Sequence, residues 1–292
     1  VTGVAVHVES ARGPVRARLL SARERPKALA YLQVEPRRNL LLAELVSAVG
    51  APSQPAEVPC QALGAWRDGV MVGVASLRPS LVLDARLTPE GLRAFLPHLE
   101  ALETGLVKSG ERSVSLLWVR LAAAGRRALI DRIETAYALE PERARLAEPP
   151  PGAILRRARE SDLDALVVAA RASLREEHRP DPFEGDPVGF RRWVRGRLER
   201  ARVVEAGGRV VFVGYADVRR RAGWLVQGVY TWPEVRRRGF AAAGMSALAR
   251  EAFAAGAEHV QLAVVEGNDA AAQLYRGLGF EPFDTLRTIL FV

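Results

Sequence analysis

The period of apolar positions changes from segment to segment along the chain, and each change marks an element. Residues 26–49 read as a helix, because after Asn39 the side chains Leu40, Leu41, Leu42, Leu45 and Val46 form a stripe at helical spacing. Residues 64–74 hold two strand-like runs around Asp68-Gly69, a hairpin signal, and 81–84 read as another strand. Thr88, Pro89 and Glu90 then open a helix with a capping hydroxyl and a proline in its first turn. The pattern next predicts a strand over 113–119 and a helix over 122–139. Gly110-Glu111-Arg112 is thereby expected to precede a strand.

Three consecutive prolines, Pro149 to Pro151, forbid ladder or helix and place a stiff spacer at 148–152. Beyond them come a strand over 154–159, a helix capped near Ser161 and Asp162 and reaching about His178, and a loop rich in Pro, Asp and Gly. A second helix near 190–200 follows, then strands over 202–205, 209–219 and 223–232. A helix over 239–255, a strand over 259–265, a helix over 268–278 and two short strands complete the order βααβββαβαββ. The expected class is α/β with a mixed sheet, divided into domains at 1–147 and 153–292.

Composition narrows the class. With 49% hydrophobic and 26% charged residues over 292 positions, the chain is that of a soluble globular protein rather than a collagen, a mucin or a disordered polymer. No apolar run approaches the ~18–20 residues that span a bilayer, so no membrane partner is expected. The start carries no charged segment followed by an apolar one, the mark of a secretory signal. One cysteine, Cys60, excludes an internal disulfide, and four histidines without a second cysteine give no zinc pattern, so no metal is expected. A reducing cytoplasm fits these features. The basic excess, 42 against 34, is almost all arginine, and aromatics make up only 7% of the chain. Nucleic-acid binding asks for basic charge on one face interleaved with stacking platforms, and is not expected here.

The chemistry concentrates between Val229 and Ala242. A strand ending in Val229-Tyr230-Thr231 runs through Arg236-Arg237-Arg238-Gly239 into a helix whose stripe is Ala241, Met245, Leu248 and Ala252. Backbone N–H groups in a first helical turn lack internal acceptors, so this junction can hold a phosphate, with Gly239 permitting close approach and the arginines adding charge. A solvated basic turn before a surface helix is the alternative reading of the same residues.

A second motif lies downstream. Asn268 opens a helix with Ala271, Leu274, Tyr275 and Leu278 on one stripe, closed by Gly279-Phe280. With both segments in order, residues 154–292 resemble the GNAT superfamily of acetyl-CoA-dependent N-acetyltransferases. Arg236-x-x-Gly239-x-Ala241 looks like the family's pyrophosphate loop, and Asn268 with Tyr275 and Gly279-Phe280 like its second cofactor motif. The whole chain is similar to the subgroup in which a degenerate GNAT-like N-terminal domain precedes the GNAT domain. Glu35-Pro36-x-x-Asn39, Val226-Gln227-Gly228-Val229-Tyr230 and Ala241-Ala242-Ala243-Gly244-Met245 carry that closer likeness. No strand, Arg-x-x-Gly-x-Gly/Ala and helix succeed one another before Ala147, so the first domain is expected to lack a cofactor loop.

The resemblance implies roles. Val229, Tyr230 and Thr231 would offer backbone groups to pantetheine as an added strand does, and Gly228 would mark the bulge that opens the slot. Arg236, with Arg237, Arg238, Gly239, Phe240, Ala241 and Ala242, would hold the pyrophosphate of acetyl-CoA. Asn268 would bond the pantetheine arm or cap its helix, or both. Tyr275 would protonate the departing thiolate. Attack by an alkylamine needs proton removal, yet the strand Leu262-Ala263-Val264 has no Glu where many family members carry one. Glu176 or Glu177 is the substitute expected, with Glu266 and His178 behind them. His7, His98 and His259 are expected to be structural or on the surface. The function implied is transfer of acetyl from acetyl-CoA to an amine, on a small molecule or a peptide, without metal or covalent enzyme intermediate. A non-catalytic acyl-CoA-binding regulator and an RNA- or ribosome-binding module remain the rivals, and the retained Tyr275 speaks for catalysis.

Overall fold

The computed structural model describes residues 13–51 and 58–292, and His7 lies outside them. The chain divides into two units. The first runs to Leu129 and takes in Leu290–Val292, and the second is Ile130–Ile289.

In the first unit, strands β1 (Arg16–Leu19), β2 (Gln61–Arg67), β3 (Val70–Arg78) and β4 (Val82–Leu83) form an antiparallel sheet in that order. The Asp68-Gly69 turn joins β2 to β3, as its sequence signal predicts, with both residues at positive φ. The expected helix over 26–49 is two, α1 (Arg25–Leu32) and α2 (Leu40–Ser47). Pro36 lies in the break, and buried Asn39 secures it by donating to the Leu32 carbonyl (3.2 Å) and accepting from the Ala85 N–H (2.9 Å). Ala28, Leu32, Leu42 and Val46 pack on Val74 and Met71 of the sheet. Helix α3 (Pro89–Leu99) starts at its expected cap and carries part-exposed His98; β5 (Gly105–Gly110) follows.

Two expectations fail next. The segment expected as a strand over 113–119 lies in helix α4 (Glu111–Ala123), which buries Val114, Leu117 and Leu121 while leaving Val119 exposed. The segment expected as a helix over 122–139 is strand β6 (Ala128–Leu139). Gly125, at φ 87°, ends α4 before it.

Strand β6 lies mostly in the second unit, although it precedes the proline run. The expected domain boundary at 148–152 therefore falls inside that unit. The unit continues with β7 (Ala153–Arg157), α5 (Leu163–Glu176), α6 (Pro187–Arg195), β8 (Ala201–Ala206), β9 (Arg209–Arg220) and β10 (Gly223–Thr231). It closes with α7 (Phe240–Ala254), β11 (Val260–Val265), α8 (Asp269–Gly277) and β12 (Glu281–Phe291), a single strand where two short ones are expected. Within the unit the strands run in the order β12-β6-β11-β10-β9-β8-β7. The β10–β11 pair is parallel, whereas β11–β6, β10–β9, β9–β8 and β8–β7 are antiparallel. Helices α5 and α6 bury Leu163, Leu166, Phe190 and Val194 on one face against Val203, Val213, Tyr215 and Tyr230. Met245, Leu248, Tyr275 and Leu278 of the α7–α8 layer meet Phe212, Trp224, Val260 and Leu262 on the other. Each such large side chain removed from water contributes about 1.5–3 kcal/mol.

The first unit also buries a carboxylate. Asp84 accepts from the N–H groups of Val74 (2.8 Å) and Arg86 (2.9 Å), but burial outweighs these bonds and pushes its carboxyl up to about 6. A raised folded-state value means that the fold binds the proton more tightly than the unfolded chain. The stabilisation it gives is full below the ordinary aspartate range and is lost as pH rises towards 6. Relative to Asp84→Asn, which has no such titration, wild type is expected to lose about 2–3 kcal/mol of unfolding free energy between pH 4 and 7. Urea titrations of both proteins across that range check the sign.

Candidate functional site

Strands β10 and β11 pair at Trp224 with Val260 and at Leu225 with Gln261, and the ladder stops there. On its other side β10 stays bonded to β9 as far as Thr231, with a register shift between Gln227 and Tyr230. Gly228 sits in that shift at φ 59°, a left-handed conformation that favours glycine. A Cβ there would also come within 3.0 Å of the Tyr215 ring. The result is an open edge on β10 from Val226 to Thr231, facing β11 with no ladder.

That edge leads into the loop singled out by its sequence. A 3₁₀ turn (Pro233–Val235) follows β10, and two left-handed residues, Arg237 (φ 63°) and Gly239 (φ 84°), bring the chain into α7. Gly239 is the N-cap and has no side chain with which to cap. The first backbone bond of the helix runs from the Ala243 N–H to the Gly239 carbonyl at 3.0 Å. The N–H groups of Phe240, Ala241 and Ala242 therefore have no acceptor inside the helix, which makes the junction receptive to an anion. Arg237 and Arg238 are exposed here, and among the described residues their side chains make no ion pair.

Arg236 points elsewhere. Its Nε donates to the Thr231 carbonyl at 2.9 Å, and its Nη2 reaches both carboxylate oxygens of Glu176 at 2.8 Å. The Tyr230 hydroxyl donates to the same carboxylate at 3.1 Å, and burial and this carboxylate together hold its phenol above the ordinary range. Glu177 turns to the other side. It accepts from Arg132 of β6 at 3.0 Å and from Ser173 at 3.1 Å. Since β10 and β6 flank β11, the two carboxylates at the end of α5 straddle the strand beside the open edge.

Arg132 also donates to Glu134 (3.2 Å), which is buried and accepts from Thr288 at 2.6 Å. Arg132, Glu134 and Thr288 escape sequence reasoning because β6 reads as a helix outside the domain that contains the site. The alternation of Arg132, Glu134, Ala136 and Ala138 on one strand face was the available signal.

Helix α8 starts at Asn268, whose side chain accepts from the Ala271 N–H at 3.2 Å, so the capping role is observed. Tyr275 is buried on its inner face, packed edge-on against Phe280 with ring centroids 5.5 Å apart. Burial pushes its phenol well above the ordinary range, and among the described residues the hydroxyl makes no hydrogen bond. Glu266 is exposed beyond β11, and His178, at φ 50°, ends the α5 segment. His259 is buried and bonded to Gln261 at 2.7 Å.

The first unit builds its corresponding junctions differently. At α3 the Thr88 hydroxyl accepts from the Gly91 N–H at 3.1 Å and Pro89 has no N–H to offer, so the turn is already satisfied. Gly110 follows a strand and opens α4, contrary to the expectation that a strand comes after it. Glu111 then puts a carboxylate into the first turn, which disfavours a second anion. Among the described residues there is no group of three or more His, Cys, Asp or Glu able to hold a metal, and no helix long and apolar enough to cross a membrane.

Residues 164–280 match the acetyltransferase (GNAT) family. No curated protein matches the chain. Among solved structures, a Drosophila protein superposes with a TM-score of 0.72 at 15% identity, covering 94% of this chain and 98% of its own. A GCN5-related N-acetyltransferase from Sphaerobacter thermophilus gives 0.60 at 18% identity, covering 94% and 95%. A tandem GNAT protein from the clavulanic acid biosynthesis pathway gives 0.56 at 16% identity, covering 94% and 98%. At these identities the likeness is one of fold, and it extends over both units.

Proposed function

We propose that this chain, whose residues 164–280 match the acetyltransferase (GNAT) family, is an acyltransferase that moves acetyl from acetyl-CoA to a primary amine by direct attack. The observation that carries this reading is the open β10 edge leading straight into a helix start whose N–H groups are unspent. Backbone groups of Val229, Tyr230 and Thr231 fit a pantetheine arm laid along the edge. The N–H groups of Gly239, Phe240, Ala241 and Ala242 fit a pyrophosphate, with Arg237 and Arg238 adding charge. Asn268, already holding its helix end, fits the pantetheine amides. When bound, acetyl-CoA supplies an acyl thioester.

Tyr275 acts as the general acid for the thiolate, its unpartnered hydroxyl held as a phenol by burial. Glu177 is the carboxylate we assign to receive the amine proton, directly or through water: each of its oxygens accepts a single hydrogen bond, Oε1 from Ser173 and Oε2 from Arg132, and keeps a lone pair. The amine is a small molecule or a peptide terminus, and the protein is expected to work in the cytoplasm. Thermal unfolding with and without acetyl-CoA, followed by CoA release across polyamines, amino acids, aminoglycosides and peptides, tests the proposal. Absence of both a stability shift and CoA release overturns it.

One chain is expected to bind one acetyl-CoA, because Thr88 and Pro89 occupy the α3 junction and the Glu111 carboxylate, in the uncapped first turn of α4, repels an anion there. Isothermal titration should give a stoichiometry near one, and a value near two would show a second site in the first unit.

A further inference from the structure

Arg236 is enclosed. Its guanidinium lies against the Thr231 carbonyl, against both oxygens of Glu176 and 5.6 Å from the Tyr230 ring centroid. Thr231 ends the strand proposed to carry pantetheine, and Arg236 begins the turn proposed to carry pyrophosphate. That turn places Gly239 at φ 84°, which glycine adopts freely, and Arg237 at φ 63°, a conformation that a residue with a side chain keeps only where neighbouring structure holds it. The element holding it is the end of α5. Glu176 is the last residue of that helix, which is fixed to the sheet through Leu163, Leu166 and Ala169 against Val203, Val213 and Tyr215.

We propose that Glu176 is a positioning residue for acyl-CoA: through Arg236 it sets the turn at Gly239 against the end of β10, and it does not transfer the acceptor's proton. The inference rests on the function proposed above. Its oxygens are committed to donors, Oε1 to both Arg236 and Tyr230 and Oε2 to Arg236. Three of its roughly four lone-pair directions are thus taken, and the paired guanidinium disfavours protonation of the carboxylate. Both partners are part-exposed, with side-chain accessibilities of 42% for Arg236 and 45% for Glu176. Such a pair adds little to global stability. Its removal is thus expected to act on the turn while the fold survives.

The test uses the full chain as wild type, Glu176→Gln, Arg236→Gln and the double variant. Acetyl-CoA affinity is read by isothermal titration, and kcat with the best acceptor of the amine panel is read from CoA release between pH 6 and 10. Each single variant should weaken acetyl-CoA binding about fivefold to tenfold. The double variant should be no worse than either single, because both remove one interaction. The value of kcat should stay within about threefold of wild type, with the acid limb of its pH profile in place. A kcat loss of about 100-fold or more in Glu176→Gln, with the acid limb gone and affinity retained, would make Glu176 the base and overturn the inference. Unchanged affinity in both singles, or additive losses in the double, would overturn it as well. Should Glu176→Gln fail to fold, Arg236→Gln carries the same comparison from the other partner. Wild type that does not bind acetyl-CoA removes the proposed function itself, a result distinct from all of these.

Discussion

Gly239→Asp is expected to abolish acetyl-CoA binding while the protein remains folded. The residue is the N-cap of α7 at φ 84°, and aspartate is among the side chains that tolerate this region best, so the backbone cost is about 1–2 kcal/mol at most. The new carboxylate can cap the N–H groups of Phe240 to Ala242 and so occupy the position proposed for pyrophosphate. It also puts a negative charge beside the ligand's own, worth about 4 kcal/mol at 4 Å in a part-exposed site, or about 10³-fold in affinity. Gly239→Asn separates the effects, since it matches the shape and the backbone preference without the charge. Saturating acetyl-CoA at about 100 times its Kd should stabilise wild type by about 2.7 kcal/mol, a Tm shift of about 5 °C. Gly239→Asn should keep part of that shift and Gly239→Asp none. Equal shifts in all three proteins would place the pyrophosphate elsewhere.

Tyr275→Phe is expected to lower kcat by about 10²-fold, with acetyl-CoA affinity and Tm unchanged. General acid catalysis is typically worth about 10²–10⁴-fold. The lower end applies because a thiol titrates near ~8.5, whereas burial holds the Tyr275 phenol far above it, so proton transfer to the thiolate runs uphill. Stability should not change, because the hydroxyl makes no hydrogen bond and the ring keeps its packing on Phe280. The same raised phenol predicts that Tyr275 stays protonated across the working range. A falling limb of kcat below pH 10 must then come from another group. A variant within about a factor of two of wild type under chemistry-limited conditions would leave Tyr275 a core aromatic.

Much of this could be read from local signals. The Asp68-Gly69 hairpin, the Thr88 and Asn268 caps and the strand–loop–helix around Gly239 each depend on residues a few positions apart, and each stands where its spacing places it. Long-range pairing was not legible. Ala128–Leu139 is rich in helix formers, yet it lies between two strands and is buried at Ala136, Tyr137, Ala138 and Leu139, so its neighbours in the sheet override its propensity. The reverse holds for 113–119, where β-branched and aromatic side chains suggest a strand although burial repeats every three or four residues in α4. The partners of Glu176 and Glu177 were hidden for the same reason. Arg236 lies 60 positions from Glu176 and Arg132 lies 45 from Glu177, and only the fold shows which carboxylate faces which arginine.

Strand β6 has a further consequence during synthesis. Its partner β11 begins with Val260, which pairs with Leu139 and follows it by 121 residues (260 − 139). At about 5–20 residues per second, that partner leaves the ribosome about 6–24 s after β6. Through that interval the nascent chain carries an unpaired strand edge with apolar side chains on both faces, the kind of segment that pairs with other chains. The charges of Asp131, Arg132 and Glu134 at its leading end are then gatekeepers against such pairing before they become parts of an ion-pair network.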